Sequence, residues 1–414
     1  MALTLQATTD FNQVAYDLRA WNALRPEFYF DDFADVESTD ESIRGKSVTF
    51  TIVNDMAIQS TPLTDGTDVT PIAMSDSQVN LVLAEYGAAM VTSAKMRGTS
   101  FIDIDPVTAN LIGFNAGISV NDVARSALDI GTNVMYASGS GATSLQSAST
   151  VRGDVVSAST IASVDIGAVR ARLASANVQR FGNLYTGFIH PDVTSDLQNE
   201  AISGSQVQGW TAANVYSTPD AIKNGELGSY RGVRWIETPT APVYAGAGSI
   251  FGTLTTALTA GETTVTSLAV TALTKPFASG DNVVLTNATG GTQTFVASAA
   301  AAVGATTISV TSVTSTLAYP VGSSVGPTAP TNVYGTLICG RQALAKAYSK
   351  APGFGPMPHV FPGPVTDLLK RLQPTSWYWL GQYGLFRQAS VIRLESSSTL
   401  AGDYGTAYNP SINN

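Results

Sequence analysis

The stretch DPVTANLIGFNAGISVNDVARSALDIGTNVMY, residues 105–136, is the one around which the rest of the chain is organised. Pro106 sits where a first helical residue can spare its N–H, and Asp105 before it is a good N-cap. Apolar residues then recur at Leu111, Ile112, Phe114, Ile118, Val123, Leu128, Ile130 and Val134. That spacing predicts a helix with a core-facing apolar stripe. Gly113, Gly117 and Gly131 weaken it and predict one bend or break. The polar side carries Asn115, Asn121, Asp122, Arg125 and Asp129. The expectation is a long helix lying on a sheet, a beam with no catalytic constellation.

Composition bounds what surrounds this beam. A chain of 414 residues can build two or three cores. Charged residues are 13%, about half the usual share, and Ala, Ser, Thr, Val and Gly fill the gap. Polar but uncharged surfaces suit lateral contact, because little charge has to be desolvated. The net charge of -9 disfavours non-specific nucleic-acid binding. The single cysteine, Cys339, lies in the apolar run Tyr334–Cys339 and reads as a small buried hydrophobe. The N-terminal stretch has no basic region followed by an apolar core, so no signal peptide is expected. No run of eighteen apolar residues predicts a membrane span. Asn287-Ala288-Thr289 fits a glycosylation sequon, read as a chance match.

On the N-terminal side, residues 1–42 read as an arm. Phe11 to Leu24 fits a short amphipathic helix with Val14, Leu18 and Trp21 on one side. Phe28, Tyr29, Phe30 and Phe33 are then interleaved with Asp31, Asp32, Asp35, Glu37, Asp40 and Glu41. Such a segment either docks on something, such as a neighbouring subunit, or forms a solvated loop. Residues 43–85 read as an extended hairpin. SVTFTIV alternates from Ser47 to Val53, VNLVLAEYG returns from Val79, and Pro62, Asp65-Gly66, Asp68 and Pro71 supply turn chemistry between them. Asp65 and Asp68 lack the full calcium-loop pattern, so a plain turn is expected there.

On the C-terminal side, Ser138 to Thr150 is a flexible loop by composition. Ser163 is expected to cap a second helix with Ile166, Val169 and Leu173 on one face. NLYTGFIHPDVTSDLQNE reads as a strand from Leu184 to Ile189, then Pro191 at a helix start with Asp192 and Asp196 in its early turns. Gly225 and Gly228 are expected to bracket a turn, Gly232 a second, with a strand at Val233–Glu237. Residues 249–333 break the pattern, since only Glu262, Lys275 and Asp281 are charged. GETTVTSLAVTALTKPFASGDNV and GATTISVTSVTSTLAYPVGSSV repeat weakly within it. Short strands and turns predict a small inserted β-barrel or sandwich, flanked by YAGAG and GPTAP as small-residue linkers. A helix is expected at Arg341–Tyr348, then strands near Ser376–Gly381, Leu385–Ala389 and Ser390–Ser396.

Catalytic chemistry finds little support. His190 and His359 stand alone, without a cysteine or second histidine at ligand spacing. Asp103 and Asp105 read as strand-end and cap residues. No Gly-x-Ser-x-Gly elbow, phosphate loop or dinucleotide fingerprint is present. No catalytic residue, metal site or cofactor is expected.

IHPDVTSDL followed by NGELGSYRGVRWIET resembles major capsid proteins of tailed bacteriophages, and is most similar to the N4-gp56-type family, which has the HK97 fold. NDVARSALDIGTNVMYASG and DIGAVRARLASANVQRFGNLYTGFIHP before it, and NVYGTLICGRQALAKAY and SWYWLGQYGLFRQASVIRLES after it, fit the same pattern. The resemblance covers most of the chain outside the insertion. It implies an α+β fold in which a long helix on a sheet and an axial α/β domain are joined by an extended β-loop and an N-terminal arm. The implied boundaries are an arm at 1–42, a loop at 43–85, and a peripheral domain at 86–180 and 360–398. An axial domain follows at 181–248 and 334–359, an inserted domain at 249–333 and a tail at 399–414. The implied function is self-assembly into an icosahedral shell enclosing double-stranded DNA in the virion, built in the host cytoplasm. The implied partners are copies of the chain in hexamers and pentamers, weakly held DNA, and scaffolding, portal or decoration proteins, with no membrane. Subunit-contact candidates are Trp21, Phe28, Phe30, Phe33, Arg44, Lys46, Asp65 and Asp68. Some members crosslink a lysine to an asparagine. Lys46 is the only lysine near the loop and nothing marks a partner, so no crosslink is expected. The alternative is a surface-layer or adhesin-like β-protein, which the Thr/Ser-rich insertion would suit and the long helix would not.

Overall fold

The computed structural model describes residues 30–38, 47–53, 56, 58, 60, 62, 65, 66, 68, 69, 71–99, 104–139, 142, 149–203, 211, 212, 226–350, 354–363, 367, 369 and 371–402. The chain forms two compact units, Met1–Ile130 with Gln342–Gln388 and Gly131–Arg341 with Ala389–Asn414.

The first unit holds β1 (Ala34–Ser38), β2 (Ser47–Val53), β3 (Asp76–Val82), β4 (Ala84–Ser93), α1 (Ala94–Thr99) and α2 (Ile104–Asp129). The chain returns to it with β18 (Leu344–Tyr348), β19 (His359–Pro362) and β20 (Leu372–Leu385). The sheet order is β1-β18-β20-β19, with β4 also on β20. β1 runs parallel to β18 and the other pairs are antiparallel.

α2 is one continuous helix through Gly113 and Gly117, and it starts at Ile104, so Asp105 lies in its first turn rather than at the cap. It packs on β20 and β4. The buried face is made of Ala109, Ile112, Ala116, Val120, Ala124, Ala127 and Leu128. Gly113 and Gly117 are on this buried side too. Small side chains let the helix axis approach the sheet closely, and this close seating keeps the helix continuous where propensity alone predicts a bend or break. Trp377 and Trp379 fill the space, and Trp377 Nε1 donates to Asn115 Oδ1 at 2.8 Å. The helix ends before Gly131, and Val134–Tyr136 is a strand rather than its last turn.

The segment expected as a helix at 341–348 contains strand β18. Leu344, Ala345, Lys346 and Ala347 are all buried, with β1 on one edge and β20 on the other. Two strand partners override the helical propensity of an alanine-rich run. Residues 388–390 form a short 3-10 turn, not the end of a strand.

The second unit holds β5 (Val134–Tyr136), α3 (Ser163–Ser175), β6 (Tyr185–Ile189), α4 (Pro191–Ser203), β7 (Thr211–Ala212), β8 (Glu226–Tyr230), β9 (Val233–Glu237) and β10 (Val243–Gly248). Its later strands are β17 (Thr331–Cys339) and β21 (Val391–Ser396). The order is β5-β21-β17-β6-β9-β8-β7, with β10 also on β17. Ile166, Val169 and Leu173 of α3 and Val193 and Leu197 of α4 join Tyr185, Ile189, Trp235, Ile338 and Leu394 in one core. The cap of α3 is Ala162. Its N–H is held at 3.0 Å by Asp165 Oδ2, a reach-back from the first turn, so Ser163 is already helical. The turn expected between Gly225 and Gly228 is instead strand Glu226–Tyr230, while the turn expected at Gly232 is present as Arg231-Gly232, both at positive φ.

Residues 131–180 and 389–398, expected with the long helix, thus lie in the second unit, where β5 and β21 are sheet strands. Residues 342–359 supply β18 to the first.

The insertion forms β11 (Gly252–Thr253), β12 (Val265–Ala269), β13 (Asn282–Thr286), β14 (Thr292–Val296), β15 (Thr307–Val313) and β16 (Ser324–Gly326). A sheet β11-β16-β13-β14 and a pair β12-β15 are joined by the bridges Leu254–Val270 and Ala297–Val310. The result is a closed ring, β11-β16-β13-β14-β15-β12, around Leu254, Leu268, Phe277, Leu285, Phe295, Ile308, Tyr319 and Val325. Each fully buried large apolar side chain contributes roughly 1.5–3 kcal/mol. The flank expected as a YAGAG linker is strand β10, antiparallel to β17. The two ends of the insertion therefore meet. Phe251 N–H donates to Val325 O at 2.8 Å, and the Thr328 hydroxyl donates to Ser249 Oγ at 2.9 Å. Gly326 is required there, because a Cβ would fall 1.7 Å from Ser249 O.

Candidate assembly surface

In the first unit the chain builds an outward apolar surface from two elements. β2 and β3 pair from Ser47–Val82 to Val53–Asp76. Their inward residues Val48, Phe50 and Leu81 pack with Ala345 and Ala347 of β18, and Phe50 meets Phe386 at a ring distance of 5.4 Å. Gly384 makes this seat possible: a Cβ on it would lie 2.2 Å from Leu81 Cδ2. The base of the hairpin is thus anchored, whereas the described apolar residues beyond it face solvent. Val53, Met56, Ile58, Val69, Ile72 and Met74 are exposed, Ile58 to 94%. Water contact for so many apolar side chains in one loop is costly, and a surface of this kind marks an interaction site.

The second element is α2. Leu111, Phe114 and Ile118, expected in the core, are exposed, and Val107 continues the stripe. Their spacing of three and four residues puts them along one helix face. The core side is shared by Ile112, Val120 and Leu128 with the small residues, and this second set of large residues points outward.

The expected contact residues divide accordingly. Asp65 and Asp68 are exposed in the hairpin loop, with Asp68 Oδ1 accepting the Val69 N–H at 2.8 Å. Among the described residues no group of three or more metal-binding side chains occurs. Phe30 is fully buried by its own chain and so packs inside the subunit rather than against a neighbour, while Phe33 is half-buried. Trp21, Phe28, Arg44 and Lys46 lie outside the described residues. The described start of the acidic segment docks on its own unit through Asp31. Asp31 Oδ1 accepts from Lys346 Nζ and from the Tyr383 hydroxyl, each at 2.6 Å. Burial, then the Asp31 charge, raise Tyr383 well above the ordinary tyrosine range, so it stays a donor.

In the second unit the polar clusters are structural. His190 is buried, and its Nδ1 accepts the Asp192 N–H at 3.3 Å. Asp192 Oδ2 accepts from the Tyr334 hydroxyl at 2.8 Å. Burial lowers the histidine below its ordinary value against the opposing pull of Asp192. Glu395 takes a bidentate pair from Arg152 at 2.7 and 3.0 Å and a further bond from Arg393 at 2.8 Å. Arg152 also stacks 3.3 Å above the Tyr244 ring. The same short turn fastens the barrel: Asp154 Oδ1 accepts from the Thr274 hydroxyl at 2.7 Å, and Lys275 Nζ donates to Asp154 O at 3.0 Å. His359, in the first unit, is exposed. Among the described residues no helix is long and apolar enough to cross a membrane.

A family model described as phage capsid protein matches residues 34–392. Among solved structures, the chain is similar to the capsid of Ralstonia phage GP4, at 13% identity and a TM-score of 0.55 over 94% of this chain and 92% of that one. It is also similar to the cyanophage Pam1 capsid asymmetric unit, at 13% identity and a TM-score of 0.53 over 92% and 93%. No curated protein matches.

Proposed function

We infer the working of this chain from one premise: it belongs to the phage capsid protein family. It has the HK97-like capsid fold and is a major capsid protein, a structural subunit of the virion shell. The surface-layer alternative gives way to this family match. The finer reading is that subunits close into hexamers and pentamers and that the β2–β3 loop reaches over a neighbouring subunit. The observation that carries it is the loop's exposed apolar set, Val53, Met56, Ile58, Val69, Ile72 and Met74, standing on an anchored base. The exposed stripe Val107, Leu111, Phe114 and Ile118 supports a second contact along α2.

Assembly of this kind uses several modest contacts per subunit, which symmetry makes collectively stable. The net charge of -9 favours a wall that repels rather than holds the enclosed DNA. We place assembly in the host cytoplasm, with scaffolding and portal proteins as further partners, and the peripheral and axial parts in the first and second units. The subunit's role is assembly rather than catalysis.

The test compares the intact chain with one in which residues 54–75 are replaced by a two-residue Asn-Gly turn. Both are co-expressed with the phage's assembly proteins, sized by gel filtration and imaged by negative-stain electron microscopy. Shells or capsomer rings from the intact chain, and soluble folded monomer from the shortened one, are expected. Normal shells from the shortened chain would remove the loop from assembly.

A further inference from the structure

The inserted barrel has an internal relation that closing a ring does not require. A shift of 43 residues carries Leu254, Leu258, Gly261 and Val265 onto Ala297, Ala301, Gly304 and Ile308. A shift of 42 carries Leu273, Phe277, Gly280 and Val283 onto Ser315, Tyr319, Gly322 and Val325. The backbone follows the same rule. Gly261 and Gly304 have φ of 87° and 83°, and Gly280 and Gly322 have 93° and 91°.

The hydrogen bonds between the halves come in matched, exchanged pairs. Leu258 and Tyr319 bond each other twice at 2.9 Å, and their equivalents Ala301 and Phe277 do the same. Gly322 N–H donates to Leu254 O at 2.9 Å, and Gly280 N–H to Ala297 O at 2.8 Å. Leu254 N–H donates to Ser323 O, and Ala297 N–H to Asp281 O, both at 2.9 Å. Gly261 N–H donates to Ser315 O at 2.7 Å, and Gly304 N–H to Leu273 O at 2.8 Å. Each bond runs from one half to the other, and its counterpart runs back. Exchanging β11 with β14, β12 with β15 and β13 with β16 maps the ring onto itself.

Two departures show how the halves have specialised. A bulge between Val265 and Ser267 shifts the register of β12 on β15. Leu254, Leu258 and Leu273 of the first half answer to Ala297, Ala301 and Ser315 of the second, so large and small residues complement each other in the shared core. The attachment to the rest of the unit uses one half only. Thr274 and Lys275 bond to Asp154, whereas their equivalents are Thr316, bonded to Gln293, and Leu317, which is 38% exposed.

We propose that the insertion is a fused dimer: two interlocked copies of one three-stranded repeat, in which the face each repeat buries is a recognition surface for a second copy of that repeat. The repeats are then interchangeable in their order along the chain.

The experiment uses the full chain with that order exchanged. Residues 294–326 follow Ile250, Asn287–Gln293 serve as the connector, and residues 251–286 lead into Pro327. Every side chain of the barrel core is retained, and only the anchor at Thr274 and Lys275 turns away from Asp154. Hydrogen exchange read by mass spectrometry should show the peptides containing Leu258, Phe277, Ala301 and Tyr319 protected to within about tenfold of the parent. Rapid exchange and proteolysis confined to the insertion would overturn the proposal, unless restoring the anchor by adding Leu317→Lys recovers protection. Failure of that second chain as well is decisive against it. If the exchanged chain does not fold at all, swapping only the turns 278–282 and 320–324 decides: retained protection supports the proposal, and its loss overturns it.

Discussion

Lys346 Nζ lies 2.6 Å from Asp31 Oδ1, with the lysine side chain 2% exposed in the strand β18 and the aspartate 12% exposed at the start of the described chain. The pair joins the first described turn to the middle of a sheet strand, and the Tyr383 hydroxyl satisfies the same carboxylate oxygen. Taking a charge out of water is tolerable only because its partner is fixed in place.

Asp31→Ala is therefore expected to destabilise the protein by about 3–5 kcal/mol, since it strands a buried ammonium. Replacing both partners, Asp31→Leu with Lys346→Met, is expected to recover most of that loss. Urea unfolding of the three chains checks it. Equal midpoints for the parent and the single variant would show that the pair contributes nothing.

The seat of the extended hairpin is a matter of one missing methyl group. Gly384→Ala places a Cβ 2.2 Å from Leu81 Cδ2, and overpacking of this kind costs about 1–3 kcal/mol. Leu81→Ala in the same chain is expected to relieve part of it. A double-mutant cycle measured by hydrogen exchange across β2 and β3 reads the coupling directly.

Acid is expected to weaken the second unit through His190. Burial holds its folded pKa below the ordinary 6.5, so the unfolded chain binds more protons in that window. Stability rises with pH there, and is lost as pH falls from 6.5 through the folded value. The groups facing the ring are Asp192 and Tyr334. In His190→Gln the fall in melting temperature between pH 7 and 5 should be shallower than in the parent. An unchanged slope would assign the acid response to other groups.

Cys339 is buried in β17, and burial raises its thiol to about 12. The thiolate needed for reaction is then scarce at neutral pH. Native protein is expected to resist a disulfide-exchange reagent at pH 8, and to react with one equivalent in denaturant. Fast labelling without denaturant would mean that β17 opens locally.

Much of the fold could be read from local chemistry. The alternation Ser47–Val53, the turn at Asp65-Gly66 and Pro191 at the start of α4 are short-range signals, and they stand where expected. The short strands and turns of the insertion announced a small barrel or sandwich, but not the closed ring. That depends on bridges between residues far apart in order, such as Ala297–Val310, which no local pattern encodes. β18 was misread because Leu344–Tyr348 has helical composition and owes its strand to partners on both edges. The exposed apolar surface was half legible. The hairpin was visible, whereas the outward stripe of α2 was mistaken for core. A rule that sends large apolar residues inward fails when a helix seats itself with Ala109, Gly113, Ala116 and Gly117. Phe30 shows the reverse: a residue expected at the surface is buried completely by its own chain.

The insertion leaves and rejoins its sheet between two neighbouring strands, β10 and β17, with Ser249 and Thr328 touching. Apart from the grip of Asp154 on Thr274 and Lys275, the sheet registers only that two chain ends arrive side by side, about one strand spacing of 5 Å apart. That junction is a socket: a foreign domain with closely spaced termini can be plugged in there, one per subunit, and the shell's symmetry will repeat it at every position of the lattice.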